Sequence, residues 1–333
     1  MKRQYAAVLT AGERVDAVFV LRSKEMRAAR TGEAYLSLEF ADRSGRVAGI
    51  MFRPTREAES VPVGTVVRVR GTVTSYRGVT RISADAVRPV AEFDRRDLVP
   101  SGPRDEQELV EELRALVRSV RDPRLGAVLR TVFGDREFMA RFKEAPASQG
   151  HHHAYLGGLL EHTVSVAHLC THLSAAYPQV NGDLLVTGAL LHDIGKVDEI
   201  EVSTGIGYTD EGRLLGHVCL GERRVRAAID GASDAFPSEL ATQLSHVLLS
   251  HHGEMEWGSP KRPATLEALL LHHADNLDAK AAGFMSATAS ASMVEEPWTD
   301  AANLFRRPLW APRAVEDDRP SAPSEDDEYA RSA

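Results

Sequence analysis

The period of the chain changes at Val99-Pro100-Ser101-Gly102-Pro103, and no single helix or strand can run through that break. Ahead of it, short β-branched and aromatic runs are separated by glycine-containing turns: Val15–Leu21, Ala34–Phe40, Arg46–Phe52, Thr65–Ser75 and Thr80–Val87. Asp42-Arg43-Ser44-Gly45 supplies a hairpin turn between the second run and the third. Behind the break, apolar residues recur at three- and four-residue steps. They do so first at Leu109, Leu113, Leu116, Val117 and Val120, and then across Leu159–Leu173, Leu184–Leu191, Leu214–Ile229, Leu240–Leu249 and Leu266–Leu277. Asn181 or Asp183, Ser238 and Thr265 are the expected helix caps. The chain therefore reads as a β module followed by a helical one.

Five strands of this length suggest an OB-fold barrel. Charge divides at the same place as the period. Residues 1–100 hold 18 Lys and Arg against 12 Asp and Glu, and because the whole chain sums to −8, the remainder carries −14. A basic barrel is thus joined to an acidic helical part. No apolar run approaches the length of a membrane span, since Leu184–Leu191 ends at His192, and Lys2 and Arg3 precede no secretory apolar segment. The expectation is a cytoplasmic protein. Cys170 and Cys219 fall in apolar helical stretches with no CxxC spacing and are expected as buried free thiols.

Of 13 histidines, eleven lie from His151 to His252. His162, His192 with Asp193, His217 and His251 with His252 each interrupt or end an otherwise apolar helix. An imidazole or carboxylate buried without a partner costs about 1–3 kcal/mol or more, so several such groups imply mutual satisfaction, and a shared metal would satisfy them together. Imidazole and carboxylate donors suit Mn²⁺, Fe²⁺, Co²⁺, Ni²⁺ or Zn²⁺, with no thiolate in the set. An adjacent His-Asp pair can serve two ions, because the carboxylate bridges while the imidazole binds one. His168 and His172, four apart, are expected to face solvent rather than metal, and His272 and His273 are candidates to orient Asp275.

These residues resemble the HD phosphohydrolases, whose pattern is a His, a His-Asp pair and a distant Asp, here His162, His192-Asp193 and Asp275. The segments His152–Thr163, Gly188–Lys196, Ser250-His251-His252-Gly253 and Ala274–Lys280 resemble more narrowly the YhaM-type 3′→5′ exoribonucleases, which join an OB-fold to an HD domain. Together with the patterning above, the resemblance implies a multidomain fold: an N-terminal all-β OB-fold barrel over residues 1–95, a linker over 96–106 and an all-α HD-type helical domain with a closing segment over 107–313. The last stretch, 314–333, rich in Asp, Glu, Ser and Pro, is expected from its composition as a disordered acidic tail. It implies one ion on His162, His192, Asp193 and Asp275, and a second, bridged by Asp193, on His217 and His251 or His252. Mn²⁺ or Co²⁺ is favoured, with Fe²⁺, Ni²⁺, Zn²⁺ and Mg²⁺ as alternatives. Lys196 is expected to meet a substrate phosphate oxygen beside the catalytic Asp193, and His152 and His153 are candidates for the same phosphate. Gly258-Ser259-Pro260-Lys261 stands where relatives that degrade cyclic dinucleotides carry Gly-Tyr-Pro, which weakens that reading.

The expected partner is single-stranded RNA or DNA, bound on the barrel by Tyr35, Phe52 and Tyr76 with Arg46, Arg53, Arg68, Arg70, Arg77 and Arg81. The expected reaction is hydrolysis of the last phosphodiester by metal-activated hydroxide, releasing nucleoside 5′-monophosphates. Its 3′→5′ polarity follows from the resemblance alone. The alternatives are a phosphohydrolase of free or cyclic nucleotides and a non-catalytic nucleic-acid-binding protein, and a homo-oligomer is compatible with either module.

Overall fold

A computed structural model of the chain describes residues 2–28, 32–150, 153–232, 235–291 and 297–311. The tail expected over 314–333 and the candidate His152 lie outside the described residues.

The alternating segments fold into β1 (Arg14–Ala28), β2 (Ala34–Asp42), β3 (Gly45–Phe52), β4 (Val66–Tyr76) and β5 (Val79–Pro89), with the short α1 (Arg56–Ser60) between β3 and β4. They close a barrel in the order β1-β2-β3-β5-β4, antiparallel except for β3 and β5. Inward positions such as Phe19, Phe40, Val69 and Ile82 are fully buried, as period-two alternation requires of a strand with one buried face. β1 continues seven residues beyond its expected end at Leu21. A register shift between Leu21 and Ser23 leaves Arg22 as an extra, bulged residue. Its guanidinium reaches the helical part, with Nη2 at 3.4 Å from the Thr204 carbonyl.

The helical part is built from α2 (Glu106–Ser119), α3 (Pro123–Gly134), α4 (Arg136–Glu144), α5 (Gly158–Ala176), α6 (Gly182–Leu191), α7 (Lys196–Glu199), α8 (Asp210–Asp230), α9 (Ser238–Ser250) and α10 (Leu266–Ala291). The apolar spacing did not announce α3 and α4, whose starts are marked by the N-caps Asp122 and Asp135. A hairpin, β6 (Ile200–Val202) and β7 (Ile206–Tyr208), interrupts this otherwise helical domain and carries the turn that meets Arg22. Asn181 caps α6 through Leu184 N, whereas Asp183 accepts from the Arg121 and Asp122 amides. Thr265 accepts from Ala268 N as expected, but α9 starts after Pro237 without a side-chain cap from Ser238.

Leu125, Leu129, Phe142, Leu159, Leu190, Leu244 and Leu271 form the centre of the helical core. Burial of each such side chain stabilises by about 1.5–3 kcal/mol. Cys170 is buried in this core, and Cys219, against expectation, is exposed because it falls on the outer face of α8. The described residues divide into two compact units, the second beginning at Lys280. In the second, Trp298 bridges Trp310 with the rings 5.1 Å apart, and Asn303 Nδ2 donates to the Asp300 and Arg307 carbonyls.

Candidate metal centre

Five helices deliver the centre. His162 lies in the first turns of α5, His192 and Asp193 follow the last residue of α6, His217 lies within α8, and His251 and His252 follow α9. Asp275 is contributed by α10. Two glycines make the approach possible. A Cβ on Gly195 would stand 2.0 Å from the His217 carbonyl, so only glycine lets the turn after Asp193 lie against α8. Gly216, at φ +73°, breaks α8 in a conformation L-residues avoid. The break turns the His217 amide toward Glu199 Oε1 at 3.0 Å, while His217 Nδ1 meets Glu199 Oε2 at 2.9 Å.

Asp193 lies at the middle, with only 2% of its surface exposed. Its Oδ2 is 3.4 Å from His162 Nε2 and 3.3 Å from His192 Nε2, and Asp275 Oδ1 is 3.2 Å from the same His162 nitrogen. Its Oδ1 faces the other way, 3.4 Å from His217 Nε2 and 3.7 Å from His251 Nε2, with His252 Nε2 3.2 Å beyond His217 Nε2. One carboxylate thus presents a different oxygen to each of two ligand groups.

The other nitrogen of each ring is already committed. Nδ1 donates to the Ala189 carbonyl from His192, to that of Leu248 from His251 and to that of Trp257 from His252. From His162 it meets Asp278 Oδ2 at 2.7 Å. These bonds leave every Nε2 aimed inward, the arrangement seen when imidazoles ligate a metal. Burial, followed by neighbouring His252 and His192, pushes His251 well below the ordinary imidazole value, so its Nε2 is a bare lone pair at neutral pH. Burial also opposes charge on His162, but Asp193, Asp275 and Asp278 outweigh it and raise that imidazole well above its usual value.

The donor set fits divalent ions. Asp193 Oδ1 and His251 Nε2 are fully buried and lack a hydrogen-bond partner among the described residues. His162 and His192 present Nε2 to one another at 3.2 Å, a contact that requires a proton or a cation between two lone pairs. Ligand atoms that share an ion at bond lengths of about 2.1 Å stand about 3.0–3.4 Å apart, which matches the spacings around Asp193 Oδ2.

All seven expected metal-binding residues therefore converge. Lys196, also expected here, is buried with its ammonium 2.5 Å from Asp193 Oδ2. Burial disfavours its charge, but Asp193 overcomes that and raises its pKa. His153 is buried behind His162, with one ring nitrogen 2.7 Å from Tyr155 Oη and the other 3.1 Å from Asp278 Oδ2. His168 and His172 are exposed, as expected. His272 does not orient Asp275: its Nδ1 donates to the His251 carbonyl at 2.9 Å. His273 is exposed. Sequence reasoning missed Glu199 and Asp278, whose partners come from distant helices, although Asp278 stands in the segment that carried the resemblance. It also passed over Leu214 and Trp257, which are 82% and 56% exposed and lie three residues before His217 and five after His252.

The barrel candidates do not form one patch. Tyr35 and Phe52 pair across β2 and β3, with ring centroids 5.9 Å apart. Tyr76 ends β4, with the Arg81 and Arg77 guanidinium groups 4.5 and 5.4 Å from its ring centroid. Arg81 pairs with Ala48, four residues before Phe52, which separates the two groups by at least about 13 Å along the strands. Arg68 and Arg70 both reach Asp16, at 2.5 and 3.2 Å.

Residues 159–280 match the family model described as HD domain, and residues 18–90 the one described as OB-fold nucleic acid binding domain. A curated protein of Bacillus velezensis, named 3'-5' exoribonuclease YhaM, is 34% identical over 274 residues, covering 81% of this chain and 86% of the relative. The Bacillus subtilis protein of that name matches with the same identity and coverage. Among solved structures, the second OB-fold domain of replication protein A from Methanococcus maripaludis covers 28% of this chain and 99% of that domain at 18% identity, with a TM-score of 0.23.

Proposed function

This chain belongs to the YhaM family of 3′→5′ exoribonucleases, and from that premise we infer that it is a metal-dependent exoribonuclease that removes nucleoside 5′-monophosphates from the 3′ end of single-stranded RNA. The observation that carries the reading is the division of Asp193, with Oδ2 toward His162 and His192 and Oδ1 toward His217 and His251. His162, His192, Asp275 and Asp193 Oδ2 would hold one ion; His217, His251, His252 and Asp193 Oδ1 would hold the second. Mn²⁺ or Co²⁺ suits these imidazole and carboxylate donors. Ions so held lower the pKa of water and draw charge from phosphoryl oxygens.

The chain's own groups supply the remaining parts. Lys196 is a fixed cation beside Asp193, placed to take a phosphoryl oxygen as charge develops on it. Trp257, whose carbonyl accepts from His252 Nδ1 and whose side chain is exposed, offers an apolar surface to the terminal base. Tyr76 with Arg77 and Arg81 is the barrel group best suited to hold the strand, since its ring is half exposed and both guanidiniums lie by it. Arg68 and Arg70 are weaker candidates, because Asp16 already meets their charge.

The test supplies purified protein and Mn²⁺ with 5′-labelled single-stranded RNA, alongside Asp193→Ala. The expected result is a ladder that shortens from the 3′ end with wild type only. Intact RNA together with hydrolysis of mononucleotides would replace this reading with that of a nucleotide phosphohydrolase.

A further inference from the structure

The segment that joins the two modules is rich in proline and glycine, a composition suited to a loose tether. It is instead fastened to the helical domain. Ser101 forms a parallel bridge with Leu156, whose amide donates to the Pro100 carbonyl at 2.8 Å, and the Gly102 amide donates back to the Leu156 carbonyl at 3.2 Å. This places Gly102 directly on two side chains. A Cβ there would stand 2.7 Å from Tyr155 Cε2 and 3.0 Å from Glu161 Oε2.

Those two side chains begin a continuous series of hydrogen bonds. Tyr155 Oη donates to Glu161 Oε2 at 2.8 Å and meets His153 Nδ1 at 2.7 Å. His153 Nε2 lies 3.1 Å from Asp278 Oδ2, and the same oxygen is 2.7 Å from His162 Nδ1. Glu161, His153 and His162 are buried, and Tyr155 and Asp278 are partly buried. Buried hydrogen bonds of this kind hold side chains in one geometry, because a broken link leaves a polar atom unsatisfied at a cost of about 1–3 kcal/mol. On the outer side, Gly102 and Glu161 line a cavity of about 670 Å³, which leaves room for the tether to shift.

We propose that Asp278, His153, Tyr155 and Glu161 are positioning residues for His162, and that through them the tether carrying the barrel sets how well the centre binds its metal. The proposal rests on the metal-centre reading above. A strand drawn on the barrel pulls on residues 100–102, and the displacement passes from the contact of Gly102 with Tyr155 and Glu161 through the hydrogen bonds to His162. The interdomain segment thereby acts on the metal centre as well as spacing the modules.

The experiment measures Mn²⁺ affinity by calorimetry, and the visible spectrum of Co²⁺-loaded protein, on the full chain and on Asp278→Asn, Tyr155→Phe and Gly102→Ala. Thermal midpoints report whether each variant is folded. Asp278→Asn is expected to weaken Mn²⁺ binding about 10- to 100-fold, the usual effect of removing a carboxylate behind a ligating histidine. Tyr155→Phe and Gly102→Ala are expected to weaken it several-fold and to alter the Co²⁺ bands, at unchanged stoichiometry. Tyr155→Phe removes a single oxygen and keeps the test intact if Gly102→Ala does not fold. Wild-type affinity and spectrum in folded Tyr155→Phe would overturn the link to the tether, and so would an effect confined to Asp278→Asn. Failure of wild type itself to bind Mn²⁺ or Co²⁺ would instead overturn the metal-centre reading.

Discussion

Glu199 has no place in the ligand pattern, yet it meets His217 twice, at the backbone amide and at Nδ1. Burial works against its charge, but His217 reverses that and holds its carboxyl below the usual range, so it is an anion at neutral pH. An anion at Nδ1 keeps the proton there and leaves Nε2 as the ligating lone pair. On the two-ion reading proposed above, Glu199→Gln is therefore expected to weaken one Mn²⁺ site about 10- to 100-fold while sparing the other. Calorimetric titration separates the two, and equal weakening of both would contradict the division of ligands between the Asp193 oxygens. Asp278 plays the matching part behind His162.

At the scale of the element, α8 is the unusual member, because its usefulness depends on the break at Gly216. A Cβ at Gly216 would have ample space, its nearest neighbour being Glu199 Oε1 at 3.9 Å. Gly216→Ala thus isolates the backbone cost, about 1–3 kcal/mol for an L-residue held at φ +73° with extended ψ, a region open essentially to glycine alone. Urea unfolding should show that loss, and metal binding should weaken with it as His217 turns away from Glu199. The outer side of α7 is tied down differently, by Asp198 between Arg141 of α4 and Arg224 of α8, each at 2.8 Å. Burial would raise the Asp198 pKa, but Arg224 and Arg141 more than offset this and lower it. A depressed carboxylate stabilises the fold above its unfolded value of about 3.9 and loses that contribution as pH falls through the lower folded value. Asp198→Asn should accordingly reduce the thermal midpoint most at neutral pH, with the gap from wild type closing below about pH 4. A gap independent of pH would place the cause in packing.

Across the whole molecule, the surplus of positive charge on residues 1–100 overstates what the barrel can offer RNA, because Asp16 already engages Arg68 and Arg70. Each phosphate contact to a single strand contributes about −0.7 to the slope of log K against log salt. Arg77→Ala should flatten that slope by about this amount in filter binding to RNA, whereas Arg68→Ala should change it little. The reverse result would move the strand to the Arg68 face of β4. The barrel also meets the helical domain where Arg22 reaches the Thr204 carbonyl in the β6–β7 turn, a contact additional to the tether.

The division into a barrel and a helical domain was legible because strand and helix periods are local, and the Pro-Gly break between them is local too. The candidate ligands His162, His192-Asp193, His217 and His251-His252 were legible for a similar reason: they are polar groups at apolar helix positions, where an unpartnered group is costly, whereas Asp275 came from the resemblance. Partnership was not legible, because it depends on which helices meet. Glu199 behind His217, Asp278 behind His162 and the bond from His272 to His251 became visible only once α5, α8, α9 and α10 were placed around Asp193. Strand register likewise parted Phe52 from Tyr76, which had looked equivalent as exposed aromatics near arginines. The sequence by itself determined which buried polar side chains needed partners; tertiary structure alone decided how one carboxylate could face two groups of histidines, because its two oxygens point along directions set by the backbone turn after α6.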